Sequence, residues 1–481
     1  MFSPKSPLFP FSLMGGLVLI YIICKASAIA ITHDEAYSFF IMKNFWYVEA
    51  LCTGNTHWLN SAAIQLAISA GLEQVMAIRW LSLLSAGVFI ATILLFIRGL
   101  QLSSPLVLFA LALCLLNPYV LDYFSIARGY ASGLMLETLA LFFFIKGKLL
   151  TNARLSFYAL CAAALSIFAN YSFAYFFLSF ACYYFFDNYF LKKNNFFRSI
   201  YFYRDGLIFA LTALFLIRAV IFLKSCSNDY VGAGTDNFSY FLGILPSGLC
   251  YNRFHFSPLL ICMLNYFIFI FLSCIGIYGF FFKTNPEHLN FRILSGILLL
   301  LLLTITLSHF LAHATLPANR SALFLFPISA LSLICWMNSL PRSAYFNFLL
   351  LICSGALVLN FFISANFKYN IDFKFNANIK EVFDILELQK AESVGLSSGF
   401  YGAYRNYYTQ KLHNPYHFHA ELIKADDNQA MLNHASNLNS LEFLVLLPPY
   451  DLHFYQLKNI QLKAINFFPE SEAVIFKINA K

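Results

Sequence analysis

Apolar stretches of about 20 residues, nearly unbroken, recur from Phe11 to Ala365, and no other feature limits the fold as much. Each is long enough to cross a hydrocarbon core of ~30 Å as a helix. In lipid only helices and closed barrels pair all their backbone groups internally. The spacing predicts spans at 10–31, 75–98, 104–121, 128–146, 155–170, 172–191, 206–224, 258–282, 293–311, 321–338 and 344–365, about eleven crossings. At 60% hydrophobic and 11% charged residues, the chain lies far from the roughly 25% charged of soluble domains. The first span is too long, and too poor in a small-residue cleavage site, to read as a removed signal peptide. The abundant Phe (57) and Tyr (28) suit lipid-facing and interfacial surfaces and imply no cofactor.

Positive charge in the short loops gives the orientation. With the N-terminus inside, the inner loops collect Lys5, Arg98, Lys146, Lys148, Arg154, Lys192, Lys193, Arg198, Arg204, Lys283, Arg292 and Arg342. The longer outer loops hold only Lys43, Arg128, Lys224, Arg253 and Arg320. The N-terminus is therefore expected to be cytoplasmic, and the lack of any organelle signal favours the bacterial cytoplasmic (inner) membrane over the endoplasmic reticulum for this multi-pass chain. The net charge of +8 is accounted for by this asymmetry, so no nucleic-acid partner is implied.

Hydropathy drops after Ala365, which divides the chain into a membrane domain, 1–365, and an outer domain, 366–481. In the latter, Ile379 to Leu386 has helical apolar spacing, and 393–397, 443–447 and 473–476 read as strands, so a small α/β domain is expected. His413, His417 and His419 form its dense imidazole group, but Pro415 argues against a helix that would align two ligands, and solvated surface is the preferred reading. Two outer loops are long. Thr32 to Gln74 contains two stretches, Glu35–Ala50 and His57–Leu72, suited to helices lying in the interface plane. Ser225 to Ser257 is irregular and holds Cys226 and Cys250, for which a disulfide and two unpaired thiols both stand open.

Four polar features map to the outer side. The first is Ile31-Thr32-His33-Asp34-Glu35-Ala36-Tyr37, immediately past the first span. Two adjacent carboxylates at bilayer depth are expensive and mark a site or a path, although they could also simply end a helix in headgroup water. The others are Asn55-Thr56-His57-Trp58-Leu59-Asn60, then Asn117 to Tyr130 with Asp122 and Ala127-Arg128-Gly129-Tyr130, and finally Leu316-Pro317-Ala318-Asn319-Arg320. Asp34-Glu35-Ala36-Tyr37, then His57-x-Leu59-Asn60, then Ala127-Arg128-Gly129-Tyr130, together resemble the polyprenyl-phosphate-sugar-dependent glycosyltransferases of the GT-C fold. The likeness is to the protein mannosyltransferase and bacterial lipopolysaccharide-type group, in motif order over residues ~10 to 340. That group often carries His-Pro where this chain has His57-Trp58, which leaves the role of His57 open.

The resemblance implies an all-α polytopic domain of GT-C type and an inverting transfer from a polyprenyl-phosphate sugar to a lipid, glycan or protein acceptor. It implies Asp34 as general base, Glu35 as a supporting or acceptor-positioning group, and Arg128 and Arg320 as donor-phosphate contacts. His57, Tyr37 and Tyr130 would position acceptor or donor. Arginine suits a phosphate because its planar fork donates two parallel charge-assisted hydrogen bonds. No cofactor is expected to be required; the wider fold allows a divalent metal, but no acidic cluster here is large enough to demand one. His309 and His313 are weaker candidates for a phosphate or metal contact. Lys25 reads as pairing or snorkelling, and Glu137, Asp187 and Arg218 as buried pairs or span-end groups. The rival readings are a transporter or flippase of a lipid-linked saccharide and a non-catalytic scaffold. Against a transporter stand the absent internal duplication and the gathering of charge at one membrane face.

Overall fold

The computed structural model describes residues 8–44, 57–190, 200–226, 234–238, 241–242, 244–251, 257–282, 288–411, 414–423, 440–447 and 461–479. Two compact units emerge. The first comprises residues 1–23, 51–60 and 81–365; the second comprises 24–50, 61–80 and 366–481. The tail division at Ala365/Asn366 coincides with the hydropathy drop. The second unit, however, also takes in most of the first outer loop.

The first unit is helical, and the protein is a multi-pass membrane protein. Among the described residues, six helices are long and apolar enough to cross a bilayer, or seven if one bent pair counts as a single span. Hydropathy counts eleven. The expected spans 155–170, 172–191, 206–224 and 321–338 fall on the helices Ala153–Ala169, Ala174–Phe185, Ile200–Cys226 and Leu325–Asn338. The differences have local causes. The expected span 104–121 breaks into Ser104–Leu115 and Pro118–Phe124, bent by 50°. Pro118 has no N–H to continue the ladder, and the Asn117 side chain instead caps the new helix at the N–H groups of Tyr119 and Val120. The expected span 75–98 likewise divides at Arg79, into a single turn, Val75–Ile78, and the helix Trp80–Gly99. The two-residue strands β1 (Gly234–Thr235) and β2 (Leu316–Pro317) pair antiparallel, tying the second long loop to the segment before Arg320.

In the second unit, a five-stranded sheet is built from β3 (Ser393–Ser397), β4 (His419–Ile423), β5 (Phe443–Leu446), β6 (Gln461–Phe468) and β7 (Ala473–Asn479). Its order is β4-β3-β5-β7-β6, with parallel pairing around β3 and antiparallel pairing of β7 to both neighbours. The inner strand β5 is buried along its length, which is why its sequence reads as a continuous apolar run. β6 is mostly exposed and half polar, so its strand character escaped the apolar pattern. Ile423, Leu441, Leu444, Leu446, Val474, Phe476 and Ile478 form one core on the sheet. The helices Ile379–Leu388 and Ser398–Asn406 belong to the same unit.

Candidate functional site

The motif residues divide between the units, and each set is closed by its own bonds. In the second unit, Asp34, Glu35 and Tyr37 lie on the helix His33–Asn44. Thr32 and Glu35 begin it as a capping box. The Glu35 N–H donates to Thr32 Oγ1 at 3.3 Å, and the Thr32 N–H donates to Glu35 Oε2 at 2.9 Å. Arg79, fully buried, then takes both oxygens of the same carboxylate, Nε donating to Oε1 at 2.7 Å and Nη2 to Oε2 at 2.6 Å. Its remaining N–H groups donate to the carbonyls of Ala26, Ile29 and Ala30 at 2.6, 3.1 and 2.9 Å. One guanidinium thus closes the end of the Leu8–Ala28 helix and fixes the start of the next. Glu35 is committed to this network. Asp34, one position earlier on the first turn and also buried, sits where a negative charge is favoured by the helix dipole.

The same helix is held by the tail. The His33 N–H donates to Asn376 Oδ1 at 2.9 Å, and the Tyr407 hydroxyl donates to the Glu73 carbonyl at 2.8 Å. Lys43 pairs with Glu73 and donates to the Gln410 carbonyl. Phe39 meets Tyr407 edge-on at 5.1 Å. A Cβ on Gly402 would lie 2.1 Å from His33 Nδ1, so the close approach of the Ser398–Asn406 helix requires glycine there.

In the first unit, His57, Arg128, Tyr130 and Arg320 come together from three separate stretches of chain. Arg128 is the residue before the helix Gly129–Leu149 and is 1% exposed. Its backbone is set from two sides. Asn60 Nδ2 donates to the Ala127 carbonyl at 2.7 Å, and the Arg128 N–H donates to the Ile126 carbonyl at 2.9 Å. A Cβ on Gly129 would lie 1.8 Å from the Ala169 carbonyl and 2.8 Å from His57 Cβ, so only glycine lets the helix begin this close. The rings of His57 and Tyr130 lie 5.5 Å apart, and Tyr130 meets Tyr123 at 4.8 Å. Burial first, then the charges of Arg128 and Arg320, hold the His57 pKa well below its ordinary value. A neutral imidazole therefore sits among fixed guanidinium charges. Asp122 accepts from the Tyr251 hydroxyl at 2.7 Å, joining the third motif to the second long loop.

The other candidates separate from this site. Cys250 is a free thiol among the described residues, and its N–H is bound to the Pro246 carbonyl at the end of the helix Ile244–Leu249. The side chain of Cys226 lies outside the described residues. His309 Nδ1 lies 3.0 Å from the Ala314 carbonyl, and His313 ends its helix with a φ of 50°. His417 bonds Glu387 through its backbone N–H and its ring, which hold that carboxylate below its usual range. His413 lies outside the described residues. Among those residues, no three His, Cys, Asp or Glu side chains gather as a metal site.

Arg79 is the residue of this network that hydropathy obscured, since an expected span swallowed it. Thr32-x-x-Glu35 is the signal that would have marked Glu35 as a capping group.

Comparison with known proteins gives little to add. No protein-family model and no curated protein matches the chain. Two solved structures are similar in overall path: ArnT from Cupriavidus metallidurans in the apo state, and the same protein bound to undecaprenyl phosphate. Each is 9% identical with a TM-score of 0.47; the coverage of both chains is 97% for the first and 98% for the second. Likeness at this distance assigns no activity.

Proposed function

We propose that this protein is an integral-membrane glycosyltransferase, moving a sugar from a polyprenyl-phosphate donor to a lipid, glycan or protein acceptor with inversion. The observation that carries the reading is the gathering of Arg128 and Arg320 around a neutral, buried His57. Such a patch suits a phosphate that gains charge as it leaves: two guanidinium groups supply fixed donors. The neutral imidazole adds a hydrogen-bonding group without a third charge to desolvate. The reaction breaks the bond between the anomeric carbon and the phosphate oxygen, and the electron pair leaves with the polyprenyl phosphate. The acceptor hydroxyl forms the new bond and passes its proton to Asp34 as general base. Glu35, tied to Thr32 and Arg79, holds the helix turn that presents Asp34. Tyr37 and Tyr130 are proposed to position acceptor or donor, and the reaction needs no cofactor. In this reading the reacting groups face the outside of the inner membrane.

The test is release of polyprenyl phosphate by the purified protein from a panel of polyprenyl-phosphate sugars, paired with mass spectrometry of envelope glycans in a deletion strain. Asp34→Asn is expected to abolish release while leaving expression and membrane insertion unchanged. Near-normal turnover by that variant would remove the base assignment, and no release by the unaltered protein from any donor would return it to the transporter reading.

A further inference from the structure

The far end of the helix Gly129–Leu149 carries a second polar feature that the proposed transfer does not use. At about 1.5 Å per residue, its 21 residues place Lys148 roughly 30 Å from Arg128, close to the full thickness of a hydrocarbon core. On the charge count this is the cytoplasmic side. There the ends of four helices enclose a cavity of about 210 Å³, with Lys148, Thr151, Asn152, Tyr189, Tyr201 and Arg204 among its lining residues.

Its chemistry is built rather than incidental. Buried Asp205 forms the floor, accepting at Oδ2 from the hydroxyls of Tyr184 and Tyr189 at 2.6 and 2.7 Å. Its Oδ1 accepts from Arg204 Nε at 2.8 Å. The Arg204 guanidinium is also stacked on Phe157, 3.8 Å from the ring centroid. Pinned by carboxylate and ring, with Nη2 also 2.7 Å from Oδ1, it is committed on one edge, and among the described residues no hydrogen bond takes its other edge, a planar donor pair. Lys148 pairs with Asp187 and donates to Asn188 Oδ1 at 2.5 Å. Each cation thus meets one carboxylate. Exposed Arg154, in the first turn of the Ala153–Ala169 helix, and Lys146, in the last turn of Gly129–Leu149, add positive charge to these helix ends. The same helices carry exposed large side chains next to lining positions in sequence: Leu149 and Leu150 beside Thr151, Tyr158 two positions after Ser156, and Leu207 two after Asp205.

A polar cavity among helix ends that carry both exposed apolar side chains and further cations fits an amphiphile better than a soluble ion. We infer that this cavity binds the phosphate headgroup of an anionic membrane phospholipid, with the acyl chains lying along the exposed apolar side chains of these helices. The phosphate is held by the open edge of Arg204 and by Thr151 and Tyr201. The inference is independent of the glycosyltransferase reading, since it concerns other residues at the other end of the helix.

The experiment is native mass spectrometry of the full-length protein in detergent, titrated with phosphatidylglycerol or with phosphatidylcholine. The expected result is a first phosphatidylglycerol bound at about tenfold lower concentration than phosphatidylcholine. Arg204→Lys keeps a charge for Asp205 but loses the planar edge, and Thr151→Trp fills the mouth without touching that ion pair. Each should erase the preference while the unfolding temperature stays near that of the unaltered protein. If Arg204→Lys does not fold, Thr151→Trp alone decides. Equal retention of the two lipids by the unaltered protein, or an undiminished preference in Thr151→Trp, would overturn the inference. Displacement of phosphatidylglycerol by glycerol phosphate at equal concentration would overturn it too, by showing a site for a soluble phosphate.

Discussion

Single side chains in this protein are legible as chemistry only after their neighbours are known. Asp34 and Glu35 are adjacent in sequence and alike in type, yet Glu35 is consumed by a capping box and a buried guanidinium. Arg128 invites a direct comparison of charge with shape. Arg128→Lys should keep part of the transfer rate, because the charge remains but the two-point fork does not. Arg128→Ala should be worse, and should lower the maximal rate as well as donor affinity, since the contact strengthens as the phosphate leaves. If both Arg128→Ala and Arg320→Ala leave rate and donor dependence untouched, the phosphate role is wrong. His57 predicts a pH effect whose sign is fixed. Its folded pKa lies below the ordinary 6.5, so the unfolded chain binds the extra proton first as pH falls. Its contribution to stability is complete above pH 6.5 and is lost progressively below it. His57→Gln should therefore flatten the fall in unfolding temperature between about pH 6.5 and 5, measured in detergent. An unchanged slope would show that the imidazole is not buried neutral.

At the scale of elements, periodicity located most helices but misjudged where they stop. Hydropathy cannot see that Asn117 and Pro118 end one helix and start another, because both fit inside an apolar window. It also cannot see Arg79 as a stop, since one cation in a long apolar stretch barely changes the average. The three strands buried in the sheet interior were readable as apolar runs, whereas β4 and β6, at the sheet edges and half exposed, were not. The site was readable as residue types in an order; which carboxylate was structural depended on a partner 44 positions away. That partner supports a prediction for the element it holds. Arg79→Ala would leave the buried Glu35 carboxylate and three carbonyls short of donors, at a cost of ~3–5 kcal/mol. Arg79→Lys should recover little, because one ammonium cannot reach both carboxylate oxygens and the carbonyls together. Thermal unfolding of the purified variants measures both; near-normal stability of Arg79→Ala would show that the network is dispensable.

For the whole molecule, the charge count commits to one orientation. A reporter fused after Asn195, which lies outside the described residues, should be cytoplasmic, and reporters after Asp236 or Lys390 should be external. An external reporter at position 195 would invert the map and place the proposed site on the wrong side. The composition of the second unit adds a consequence in time. Its first segment leaves the ribosome near the start of synthesis, while Asn376, which accepts from His33, follows 343 positions later. At about 5–20 residues per second, the His33–Asn44 helix waits roughly 15–70 s for the partners that cover it. Through that interval Phe39, buried in the finished unit, lacks the Tyr407 ring that covers it. Truncated chains that never make the tail should therefore leave this helix uncovered, open to chaperones and proteases.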